Sequence, residues 1–135
     1  MAREYSTVRP MDVPSREPAE WAELCRHLAR LNALVLPLRR VPNTVVADLA
    51  DQALGALSRM QAQINALDGG ACDFAAPTPN VRNFGDMLRQ ALLSNAKVCD
   101  ELYRPREGKS LAEQLPYLTS LSHYTYSLLL TLAAI

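Results

Sequence analysis

Three features predict an all-α fold. Apolar residues recur every three or four positions through four long segments, prolines cluster mainly between those segments, and no stretch alternates in the manner of a strand. The 135 residues make one ordinary domain, and 49% apolar against 21% charged residues is enough for a buried core, which excludes wholesale disorder. Fourteen Lys+Arg against fourteen Asp+Glu give zero formal charge, which excludes a surface that clamps nucleic acid all over.

Residues 1–17 carry Pro10 and Pro14 and read as an extended arm, because each proline disfavours the helical conformation in its predecessor. The remainder, residues 18–135, reads as a single helical-bundle domain. Ser15 and Pro18 suit the start of a first helix over about 18–36, with Trp21, Leu24, Leu28, Leu31 and Val35 on one face. Glu20, Glu23, Arg26, His27 and Arg30 form its wet side, a surface ion-pair face rather than a metal site. Pro37 and Pro42 bracket a break. Asn43 caps a second helix over about 44–67, with Val46, Ala50, Ala53, Leu57, Met60, Ile64 and Leu67 as its stripe. The alanines and Gly55 would let a neighbour approach closely. Gly69-Gly70 ends it.

Asn80 is the expected cap of a third helix over about 81–103, with Val81, Phe84, Leu88, Ala91, Asn95, Val98 and Leu102 in register. Asn95 falls in that apolar seam. It either fixes register or bonds a hydroxyl such as Ser122. Ser110 and Glu113 have capping-box spacing for a fourth helix over about 110–135, which Pro116 should kink or restart. Four amphipathic helices joined by short or moderate breaks predict an antiparallel, up-down-up-down four-helix bundle with an extended N-terminal arm.

The fourth helix suggests a function. After Glu113 the chain has no Lys, Arg, Asp or Glu. Leu118, Leu121, Thr125, Leu128, Leu132 and Ile135 form its core stripe. Tyr117, Ser120, Tyr124, Ser127 and Thr131 form a second stripe of aromatics and hydroxyls. A helix outside a small bundle normally shows a charged face, whereas interface cores are depleted of charge and enriched in Tyr. The sequence therefore predicts a non-enzymatic association module that docks through this helix, as a homo-oligomer or as a small subunit of a larger complex. The hydroxyls, His123 and Pro116 dilute the apolar run too far for a membrane anchor.

An alternative rests on charge. In an alternating bundle the first and third connections share one end, which would gather Arg39, Arg40, Arg104, Arg106 and Lys109 into a basic pole. Such a pole would contact an anion or nucleic acid. Cys25, Cys72 and Cys99 are odd in number and lack CxxC spacing, so neither a disulfide framework nor a zinc site is expected. With no apolar signal-peptide core at the N-terminus, the cytoplasm is the expected location. Neither GxGxxG nor GxxxxGK[ST] occurs, and His123 has no acidic neighbour in sequence, so no cofactor, metal or catalytic group is expected.

Overall fold

The computed structural model describes residues 18–67, 72–105 and 108–135, and among them there is no strand. The N-terminal arm, Gly69-Gly70 and Arg106 lie outside the described residues. Helix α1 (Pro18–Val35) runs into a 3-10 turn (Leu36–Arg40), followed by α2 (Thr44–Asn65), α3 (Phe84–Tyr103), the single turn α4 (Leu111–Gln114) and α5 (Pro116–Ala133). The α-helical fold class stands as predicted.

Local chemistry sets the boundaries. The Asn43 side chain accepts hydrogen bonds from the Val45 and Val46 N–H groups at 3.0 and 3.2 Å and so opens α2. The Ser110 hydroxyl accepts from the Glu113 N–H at 3.3 Å and starts α4. Pro116 has no N–H to continue that turn, so the chain turns at Leu115 and a new helix begins on the proline. The cap of α3 is Asn83, not Asn80: its side chain accepts from the Asp86 N–H at 2.8 Å. The Asn80 carbonyl instead accepts from Gln90 Nε2. Val81 therefore precedes the helix, and Val81, Phe84 and Ile135 are exposed where the periodicity placed them inside.

The remaining stripe residues are buried, except Leu67, which is half-buried and lies beyond the end of α2 at Asn65. Trp21, Leu24, Leu28, Leu31 and Val35 form the α1 contribution, and Val46, Ala50, Ala53, Leu57, Met60 and Ile64 that of α2. The buried Ala50, Ala53 and Ala56 give α2 its slim face. Gly55 takes no part in it, since a Cβ there would meet nothing within 4 Å among the described residues. A mid-helix glycine with empty space beside it only weakens the helix. Gly55→Ala is accordingly expected to raise unfolding free energy by about 0.5–1 kcal/mol in urea denaturation.

Helix pairing departs from the expected order. Helix α1 packs against α2 and α3, and α5 packs against α2 and α3, while α1 and α5 do not meet. Arg30 of α1 bonds Gln90 of α3 at 2.7 Å, and Leu34 at the α1 end, with Leu38 of the 3-10 turn, faces the α3 start at Phe84 and Met87. Helices α1 and α3 are thus antiparallel neighbours. An up-down-up-down ring would make them parallel and set them across the diagonal. The physical reason is the length of the connection after α2: the stretch Ala66–Asn83 reaches up to ~60 Å when extended, twice the length of a 20-residue helix. It can return the chain to the far end before α3 begins.

Candidate functional site

The exposed side of α5 carries the predicted docking residues. Tyr117, Ser120, Tyr124, Ser127 and Thr131 are all exposed, with Tyr126 and Leu130 beside them. The opposite side is buried through Leu118, Leu121, Ser122, Thr125, Leu128, Leu129 and Leu132. The threonine hydroxyls in this core are satisfied locally: Thr125 donates to the Leu121 carbonyl at 2.9 Å and Thr119 to that of Leu115 at 3.4 Å. Such back-bonding explains how polar residues occupy an apolar seam. Among the described residues no helix is long and apolar enough to cross a membrane.

Two hydrogen bonds hold the margins of the α5 face. The Tyr124 hydroxyl donates to Gln52 Oε1 of α2 at 2.9 Å. On the other side, the Tyr103 hydroxyl and His123 Nε2 share a bond at 3.0 Å, with the rings stacked at 6.1 Å between centroids. His123 is thereby tied to a tyrosine of α3. Next to it, Cys99 Sγ and the Ser122 hydroxyl share a bond at 3.2 Å. Ser122 is therefore engaged elsewhere, and among the described residues Asn95, 1% exposed, has a partner for neither its Oδ1 nor its Nδ2.

The fold does not assemble the basic pole. Arg39 and Arg40 follow the C-terminal end of α1, beside the start of α3, whereas Arg104 follows the end of α3, about 30 Å away. Arg104 instead lies near the beginning of α1, where its charge reaches Glu23. Local carboxylates also answer these cations: Arg39 Nε lies 3.3 Å from Asp51, and Arg104 bonds Glu101 at 2.6 Å. Lys109 is exposed, and Arg106 lies outside the described residues.

The antiparallel α1/α3 contact creates two clefts that the sequence did not announce. One, of about 400 Å³, is apolar and lined by Leu34, Leu38, Phe84 and Met87 among others. The second, of about 580 Å³, lies between α1, α3 and residues 75–77, and Arg26, His27, Arg30 and Lys97 line it. Burial, followed by the positive charge of Arg26, lowers the His27 pKa from its ordinary value, while Glu23 and Glu101 oppose the shift and Lys97 adds to it. Arg26 bonds Glu23, whose carboxyl it holds below the usual range. The sequence signal was present in part: Arg26 and Arg30 stand one helical turn apart with His27 between them.

The cysteines divide into two settings. Cys25 and Cys72 are both buried, and their thiols interact as they titrate. As a result, the Cys72 pKa moves down and that of Cys25 moves up, since a second ionisation beside a thiolate is opposed. Asn65 clamps the Cys72 backbone, accepting from its N–H at 2.6 Å and donating to its carbonyl at 2.9 Å. Among the described residues no three His, Cys, Asp or Glu side chains are grouped to hold a metal ion. No protein-family model, curated protein or solved structure matches the chain.

Proposed function

We propose that this chain is a non-enzymatic association module: an antiparallel four-helix bundle with one long crossover that pairs with a second copy of itself through the exposed face of α5. The observation that carries the reading is the absence of any charged side chain on that face, from Pro116 to Ile135. A twofold contact sets the same patch on both partners and so brings like residues close together. A charged face would oppose such a contact, whereas tyrosines, leucines and hydroxyls do not. Tyr124 and Tyr117 supply aromatic area, and Ser120 and Ser127 permit close approach between them.

Light scattering of the chain at about 100 μM should give twice the monomer mass. Tyr124→Arg and, separately, Ser127→Arg should return it to monomer while the helical circular dichroism is retained, because both side chains are exposed. Two charges facing each other across a desolvated symmetric contact are expected to weaken dimerisation at least tenfold. A wild-type chain that is monomeric at this concentration, or a Ser127→Arg variant that stays dimeric, refutes the reading. The anion or nucleic-acid reading based on a single basic pole loses its support, since Arg39/Arg40 and Arg104 occupy opposite ends of α3.

A further inference from the structure

We propose that the cleft between α1, α3 and residues 75–77 binds a small phosphomonoester carrying a short apolar body. It lies on a different pair of helices from the α5 face, and the proposal does not depend on how that face is used. Arg26 and Arg30 project from one side of α1, and Lys97 faces them from α3. Among the described residues, the lining contains no Asp or Glu, although the chain as a whole is neutral.

The cations are also held in place from behind. Gln90 Oε1 accepts from Arg30 at 2.7 Å, and Gln90 is itself fixed by donating from Nε2 to the Asn80 carbonyl and to Asp86 Oδ2, both at 3.0 Å. Asp86 in turn bonds Arg89 at 2.6 Å and the Arg82 N–H at 3.1 Å. This relay fixes the Arg30 guanidinium and leaves its other N–H donors for an oxyanion. Glu23 answers the charge of Arg26, leaving Arg30 and Lys97 to meet the roughly two negative charges of a phosphomonoester near pH 7. Ala29, Pro77 and Leu93 form the apolar part of the wall, which suits a ligand with a hydrocarbon or aromatic body. The buried Ser94 adds a hydroxyl to the lining.

The test is a titration of the full chain with phenyl phosphate, inorganic phosphate and benzoate at low salt, followed by NMR of the His27 ring. The proposal expects saturable phenyl phosphate binding, about tenfold tighter than either of the other probes. It also expects an upward move of the His27 pKa, as the bound anion opposes the charges of Arg26 and Lys97 while Glu23 and Glu101 stay in place. Arg30→Gln and Lys97→Gln should each weaken binding about tenfold, while Arg40→Gln, distant on the 3-10 turn, should leave it unchanged. No saturation by 10 mM phenyl phosphate overturns the proposal. So does benzoate binding as tightly as phenyl phosphate, or equal loss in Arg40→Gln.

Discussion

Replacing Trp21 with alanine should remove about 3–5 kcal/mol of unfolding free energy, the usual cost of emptying a large aromatic site in a core. Trp21 is 1% exposed near the start of α1 and belongs to a stripe whose other members, Leu24, Leu28, Leu31 and Val35, are equally enclosed. Because Trp21 belongs to the main hydrophobic cluster, the vacated space would open in that core. Against a typical total of 5–15 kcal/mol, that loss would bring the melting temperature down by roughly 4 °C per kcal/mol. Trp21→Phe separates volume from polarity. The indole N–H is buried with no partner among the described residues, so phenylalanine keeps most of the ring and removes an unsatisfied donor. Its cost should stay below about 1.5 kcal/mol. Urea unfolding followed by circular dichroism distinguishes the two. A Trp21→Ala loss under about 1 kcal/mol would mean that this end of α1 does not anchor the core.

Asn95→Leu should act in the opposite direction, raising stability by about 1–3 kcal/mol, the cost of burying an amide without compensating bonds. Asn95 lies in the α3 seam among Ala91, Val98 and Leu102, all fully buried. Leucine has the same heavy-atom branching and removes the desolvation cost without leaving a void, and the extra room that its methyl groups take offsets part of the gain. The expected shift is a later urea midpoint with an unchanged slope. A chain destabilised by both Asn95→Leu and the smaller Asn95→Val would show that the amide has a bonding partner after all. If the gain appears, Asn95 is not there for stability. Specifying one register against its alternatives is then the role left for it, and that is measurable as a loss of unique side-chain NMR shifts in the variant.

Much of the helical layout was legible because its causes are local. The three-four spacing from Trp21 to Val35 identifies one face of a helix, and burial of that face follows for whichever neighbour covers it. Asn43 and Ser110 were readable as caps because a cap bonds backbone only two or three residues ahead. The α3 cap was misassigned for the same kind of reason. Asn80 and Asn83 are equally suitable by type, and the choice fell to Asn83 once Asp86 and Gln90 tied down the preceding loop. The exposed stripe Tyr117, Ser120, Tyr124, Ser127 and Thr131 was readable because the 3.6-residue period that buries Leu118 and Leu121 turns the position before each of them outward.

By itself, then, the sequence determined that the chain is helical, which faces turn inward, and that the last helix presents no charge to its surroundings. Only the tertiary structure decided which helix neighbours which. An apolar stripe specifies that a face must be covered, but one apolar partner covers it about as well as another, and the long stretch after α2 let the chain enter α3 from either end. That choice separated Arg39 and Arg40 from Arg104. It also brought Lys97 across from Arg26 and Arg30, a cationic cleft made by packing two wet helix faces side by side.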